Sequence, residues 1–232
     1  AGLAYADKDY ATAKQYYEQV IQSGDTRYRE EAWARKAGIE YDAKDYRDAL
    51  ASFKQLKAVA EAPANQQAAR LGILRSGEQS AQWQDALDAA NELLASDKLS
   101  PEIGIEARYV RAKAYLATRQ ARKALPDLEG LSKDTRTVQG AEAKYLLAQY
   151  YYDNRQDAQA EQVLKDFIAN GTPHAYWLAR GFILLSDIYA RKGEDFQAQQ
   201  YLQSLRNNYK GNDDIDAMIE NRLAKLKNQT KR

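Results

Sequence analysis

The sequence predicts an all-α fold: an array of about six stacked helix hairpins, closed by one further helix. Three observations carry that prediction. A short phrase recurs, DKDYATAKQYY (7–17) returning as AKDYRDALASF (43–53), with small anchors at Ala13 and Ala49 and then at Ala86, Ala124, Ala160 and Ala198. The anchors are spaced by 36, 37, 38, 36 and 38 residues, a period the size of one supersecondary unit. Four residues after them stand Tyr17, Phe53, Ala90, Leu128, Leu164 and Leu202, and three further on Val20, Leu56, Leu93, Leu131, Phe167 and Leu205. Apolar side chains at i, i+4 and i+7 mark one face of a helix. Finally, Ala, Leu, Gln, Glu, Lys and Arg dominate the composition, and there are only 4 Pro, so helix formers fill the chain and breakers are few.

A second helix lies upstream of each anchor. EARYVRAKAYLATRQARKAL (106–125) aligns without a gap on EAKYLLAQYYYDNRQDAQAE (142–161), and twelve residues before most anchors sits a small residue: Ala37, Ala112, Ala148 and Ser186. Small side chains on both helices let an antiparallel pair cross closely. One hairpin buries its stripe on one side only, so the hairpins must stack.

In chain order the repeats are expected at 1–25, 26–63, 64–99, 100–136, 137–172 and 173–212. Repeat one begins mid-helix at Ala1, and the opening AGLAYADKDY lacks both an initiator Met and a signal peptide, which suggests a piece of a longer protein. SGD (23–25) should end its second helix with Gly beyond the last turn. Repeat three carries Gly77 where a Tyr would stand. Ser100–Pro101 reads as an N-cap followed by Pro at the first helical position, and so does Thr172–Pro173. Pro126, just past the fourth anchor, should kink or delay that helix. NGTP (170–173) and KGND (210–213) should close the last two hairpins. DDIDAMIENRLAKLKNQ (213–229) then places Ile215, Met218, Ile219, Leu223 and Leu226 on one side of a capping helix, with a frayed tail from Asn228 to Arg232.

The repeat as a whole resembles the tetratricopeptide repeat family. AKAY (112–115) and DYRDALASF (45–53) are its nearest matches, and the resemblance spans about residues 1–210. It implies a right-handed α-solenoid whose first helices line a concave groove. The departures are a period longer than the family's usual 34 and the absence of most closing prolines.

The chemistry in the sequence is sparse. Lys and Arg total 34 against 33 Asp and Glu, a net charge of +1, which argues against a dedicated nucleic-acid or anionic-membrane binder. No apolar run approaches the roughly 20 residues a membrane helix needs. Zero Cys excludes disulfides, thiol catalysis and cysteine metal sites. It fits an oxidising compartment, although many cytosolic proteins also lack Cys. With the similarity to tetratricopeptide proteins of the bacterial envelope, the expectation is a periplasmic or other extracytoplasmic location. The single His, His174, reads as a solvated first-turn residue, since one His without Cys builds neither a usual zinc site nor a catalytic triad. No Gly-rich phosphate loop occurs. The pairs Asp213–Asp214 and Glu30–Glu31 fall at helix starts, where the macrodipole favours them. No cofactor or metal is expected, and no catalytic residue is assigned.

The resemblance also nominates a binding face. Carrying the groove positions across the repeats gives Tyr41, Leu71 with Arg75, Tyr109 with Lys113, Tyr145 with Gln149 and Tyr152, and Ile183 with Asp187 and Arg191. Tyr115 and Tyr151 fall in the core column instead. An aromatic ladder flanked by long polar side chains suits a protein or peptide partner. The alternative is that these Tyr fill the space between neighbouring first helices. Some family members grip acidic C-terminal peptides with a clamp of Lys and Asn on successive first helices. The matching columns here read Ala34, Leu71, Tyr109, Tyr145 and Ile183, then Gly38, Arg75, Lys113, Gln149 and Asp187, so only Arg75 and Lys113 could serve. Arg222, Lys225, Lys227, Lys231 and Arg232 near the end form either a phosphate-binding patch or a solvated terminus. The expected function is a non-enzymatic interaction scaffold. The alternatives are a helical accessory domain of a cell-wall enzyme such as a lytic transglycosylase, or a ligand-sensing regulatory module.

Overall fold

A computed structural model describes residues 2–24 and 26–229; Ala1, Asp25, Thr230, Lys231 and Arg232 lie outside them. Among the described residues the elements are helical throughout. The hairpins pair α1 (Gly2–Ala6) with α2 (Tyr10–Ser23), α3 (Arg29–Asp42) with α4 (Tyr46–Val59), and α5 (Pro63–Gln79) with α6 (Trp83–Leu94). There follow α7 (Pro101–Ala117) and α8 (Ala121–Leu131), α9 (Val138–Asp153) and α10 (Asp157–Asn170), α11 (Ala175–Arg191) and α12 (Asp195–Asn208), then α13 (Ile215–Gln229). A short 3-10 turn, Thr26–Tyr28, precedes α3.

All six anchor alanines are 0% exposed, and so are Ala37, Ala112 and Ala148 on the first helices. Zero exposure at both ends of the crossing is what a close helix pair requires, because a Cβ is all that fits there. Every second helix begins three residues before its anchor. Five residues before the anchor the backbone is left-handed in every hairpin: Lys8, Lys44, Ala81, Arg119, Arg155 and Gly193, with φ from 56 to 80°. At each of these turns the left-handed residue's N–H bonds the carbonyl three residues back at 2.9–3.2 Å. The next N–H bonds the carbonyl five back at 2.8–2.9 Å. That double closure is the Schellman motif. The residue donating the second bond is also the first residue outside the following helix. One compact turn thus ends one helix and starts the next.

The chain divides into two compact units, Ala1–Ala124 and Leu125–Arg232. In the first, consecutive helices from α1 to α7 pack on one another, and the first helices also touch directly, α3 with α5 and α5 with α7. Leu50, Leu74, Ala86, Leu93, Ala107 and Val110 form much of its core. In the second unit α9 packs on α10, α10 on α11 and α11 on α12, while α9 also meets α11. Leu164, Ile183, Leu185, Ile188 and Leu202 are at most 1% exposed there, each fully buried aliphatic contributing about 1.5–3 kcal/mol. α13 packs on both α12 and α11, with Ile215 and Ile219 at 0% exposure and Leu223 and Leu226 nearly so. Met218 is half-buried beside them. α13 therefore stands towards α11 as α11 stands towards α9.

Several local expectations are corrected. Pro126 lies within α8 without delaying it, since α8 starts three residues before Ala124 like every other second helix. The ring is exposed, and it removes a single N–H from the ladder. Ser100 does cap α7, accepting from Ile103 N–H at 3.4 Å with Pro101 at the first helical position. Thr172–Pro173 does not cap α11, which starts at Ala175 after His174. The Thr172 hydroxyl is engaged elsewhere, donating to the Thr135 carbonyl at 2.6 Å and accepting from His174 N–H at 3.1 Å. Gly24 (φ 75°) and Gly171 (φ 69°) end α2 and α10 as expected, but α12 ends at Asn208 and Gly211 is not left-handed. Tyr115 and Tyr151 are half-buried rather than buried; Tyr189, in the same column, is 6% exposed. Gly77 in that column brings α5 close to α6, because a Cβ there would stand 3.0 Å from the Ala86 nitrogen.

Candidate functional site

In the first unit the nominated side chains come from α3, α5 and α7. Tyr41 is half-buried and meets Tyr46 edge-on at 5.3 Å; burial pushes its phenol pKa up, so it is a neutral hydroxyl at physiological pH. Arg75 makes a two-pronged ion pair with Glu106 of α7, at 2.6 and 2.8 Å. Lys113 reaches back to Glu78 of α5 at 2.7 Å and lies 4.9 Å from the Tyr109 ring centre. Arg75 and Lys113 are thus both neutralised by carboxylates on a neighbouring first helix. Partly exposed pairs of this kind contribute about 0–1 kcal/mol each; their main effect is to fix side-chain positions. Leu71 is half-buried, packed against the core.

In the second unit the same face runs along α9, α11 and α13. Arg191 lies over the Tyr152 ring, its guanidinium carbon 3.6 Å from the ring centre. It also pairs with Asp157, through Nε at 2.9 Å, and donates to the Tyr152 carbonyl at 3.1 Å. Burial raises the Tyr152 pKa. Asp187 accepts a fork from Arg222 of α13 at 2.8–3.0 Å. That contact removes Arg222 from any basic patch at the end of the chain, while Lys225 and Lys227 remain exposed. Ile183 is 1% exposed and belongs to the core.

Tyr145 is the most covered of the nominated tyrosines, at 7% exposure. Its ring lies 5.7 Å from Trp177 of α11, its hydroxyl donates to Gln149 at 3.0 Å, and it accepts from Arg180 at 2.9 Å. For Tyr145 the ring fills the space between neighbouring first helices, the alternative left open by the sequence. Arg180 was not singled out by sequence. Its Nη1 donates to Tyr176 at 3.0 Å, and its Nε is buried without a hydrogen-bond partner. The detectable signal was columnar: Arg180 occupies the position of Glu106, and Gln149 that of Arg75.

Two further clusters are structural. Glu40 is 1% exposed and accepts from Lys36 and Ser52, both at 2.6 Å, and from Lys14 at 3.0 Å. Burial alone would raise its pKa, but those three partners hold it below the ordinary carboxylate value. A buried charge so fully satisfied offers nothing to a ligand. His174 is not simply solvated: its Nε2 lies 2.9 Å from the Arg136 carbonyl. A carbonyl only accepts, so Nε2 carries the proton. With Thr135 and Thr172 it ties the loop before α9 to the loop before α11. Among the described residues no group of three or more His, Cys, Asp or Glu could hold a metal ion, and no helix is long and apolar enough to cross a membrane.

No protein-family model and no curated protein sequence matches the chain. Solved structures do. YrrB, described as a TPR protein with an unusual peptide-binding site, superposes with a TM-score of 0.59 at 14% identity, over 82% of this chain and 91% of that one. BtubC (BKLC) from P. vanneervenii gives 0.59 at 14% identity, over 92% and 95%. A putative kinesin light chain with nearly identical TPR-like repeats, from Podosopora anserina, gives 0.58 at 20% identity, over 78% and 94%. At such identities the likeness shows the fold.

Proposed function

Because the chain has the tetratricopeptide-repeat fold, we propose that it is a non-enzymatic interaction module whose first-helix faces bind a protein or peptide partner. One observation supports this most directly. In each unit, polar and aromatic side chains from successive first helices are held in fixed positions by contacts to one another. Lys113 of α7, which lies over Tyr109 of its own helix and bonds Glu78 of α5, and Tyr152 of α9 under Arg191 of α11 are such contacts. Half-buried aromatics with preset orientation lose little entropy on binding, which is what an interface anchor needs.

The test is selection of a displayed random-peptide library on the folded chain, followed by titration of the selected peptides. Replacing Tyr41, Tyr109 and Tyr152 together by Ala should weaken binding at least 30-fold, since one central aromatic anchor is often worth about 2 kcal/mol or more. Helical content by circular dichroism should be kept. Selected peptides that bind the triple variant as tightly as the parent would sink the reading, and so would a library that yields none.

A further inference from the structure

We infer that Arg180 is a receptor for a carboxylate of the peptide partner, a reading that rests on the function proposed above. On the first-helix faces, Arg75, Lys113, Arg191 and Arg222 each have a carboxylate partner on a neighbouring element. Among the described residues Arg180, on the same face of α11 as Asp187 and Arg191, has none. Its contacts are the hydroxyls of Tyr145 and Tyr176 and the faces of their rings, whose centres lie 4.9 and 5.8 Å away.

The comparison between the units shows what is missing. In the first unit Arg75 meets Glu106 one repeat later. In the second, Gln149 stands in the column of Arg75 and Arg180 in that of Glu106, so the interacting columns hold one cation and no anion. Gln149 cannot supply the charge. Its oxygen accepts from Tyr145, and its amide donates to Asp153 at 2.8 Å.

A guanidinium has five N–H donors. Two of Arg180's go to the tyrosines, and the Nε–H is buried and unpaired. Two N–H groups on the Nη atoms are left, the number a carboxylate takes end-on. The fork is already oriented by two hydroxyls, and both tyrosines pack on Trp177, which meets Tyr176 edge-on at 5.1 Å and Tyr145 at 5.7 Å. A half-buried cation without a counter-charge favours an incoming anion, because binding removes an uncompensated charge rather than breaking an existing pair. The position is distinct from the clamp columns that contain Arg75 and Lys113.

The experiment uses two displayed random-peptide libraries, one with free C-termini and one with the random segment internal, selected in parallel on the parent chain and on Arg180→Gln. Peptides selected on the parent should share an Asp, a Glu or a free C-terminus that selection on Arg180→Gln does not retain. Synthetic versions with that carboxylate amidated should bind the parent at least tenfold more weakly, which separates a side-chain carboxylate from a terminal one. Gln149→Glu provides a second variant that places a carboxylate within the protein beside Arg180. It should lose acidic-peptide binding by a similar factor without lowering the melting temperature. Peptides that bind but share no carboxylate, or acidic peptides that bind both variants like the parent, overturn the Arg180 inference and leave the interaction module standing. Failure to select any peptide removes both.

Discussion

Replacing Ala81 by Gly should stabilise the protein. Ala81 sits at φ 56° in the turn between α5 and α6, exposed and outside both helices, so the substitution removes no packing. A residue with a Cβ costs about 1–2 kcal/mol in the left-handed region. Glycine avoids that cost but widens the unfolded ensemble, returning about 0.4–1 kcal/mol. The balance is a gain of about 0.5–1 kcal/mol, or about 1–4 °C in Tm for a chain of this size. The reciprocal change is available in the same protein. Gly193 fills the equivalent position at φ 80°, and a Cβ there would meet nothing within 4 Å, so Gly193→Ala should destabilise by a similar amount through backbone conformation alone. Urea denaturation followed by far-UV circular dichroism measures both. If Ala81→Gly lowers the midpoint, or Gly193→Ala leaves it unchanged, the turn is not governed by the left-handed residue and the account of the hairpin is wrong.

Other expectations test packing and charge. Ala160→Leu forces bulk into a crossing with 0% exposure and should cost about 1–3 kcal/mol in thermal or chemical melts. Gly140→Ala would put a Cβ 2.0 Å from the Asp134 carbonyl oxygen and should destabilise by at least about 1–3 kcal/mol. Gly38→Ala, in the interior of α3 with nothing within 4 Å of the new methyl, should stabilise by about 0.5–1 kcal/mol. Glu161 bonds Lys165, Lys192 and Tyr189, which lower its pKa from 4.5 to about 2. The folded-state value is depressed, so its contribution is fully present above the unfolded value of 4.5 and is lost as pH falls through about 2. Glu161→Gln should flatten that part of an acid-unfolding curve.

Much of the fold was legible because the buried columns are made of residue types that burial itself selects. Six alanines at one position and apolar residues at i+4 and i+7 leave few alternatives to a close-packed hairpin. The turn was illegible for the opposite reason. Its left-handed residue is Lys, Lys, Ala, Arg, Arg and Gly in turn, and only the last carries a backbone signature that a reader would recognise. The failed cap at Thr172 has a similar cause: its hydroxyl bonds a carbonyl 37 residues away, a competitor invisible in a local motif. The nominated face was readable as a set of columns, but the pairing of Arg75 with Glu106, and the lack of one at Arg180, depends on which columns meet across neighbouring helices.

The shared turn also determines where this chain can accommodate extra sequence. From left-handed residue to anchor the interval is always five residues, whereas from each anchor to the next left-handed residue it is 31, 32, 33, 31 and 33. All the length variation has been absorbed outside the turn. A segment grafted between Lys44 and Asp45 would separate the two Schellman bonds and detach the start of α4 from the end of α3. The same segment placed in the connection between α6 and α7 lengthens a loop, at about 0.6 kcal/mol for each doubling. Epitopes, reporter peptides or whole inserted domains therefore belong between hairpins, at Ser96–Lys98 for example, and never at their tips.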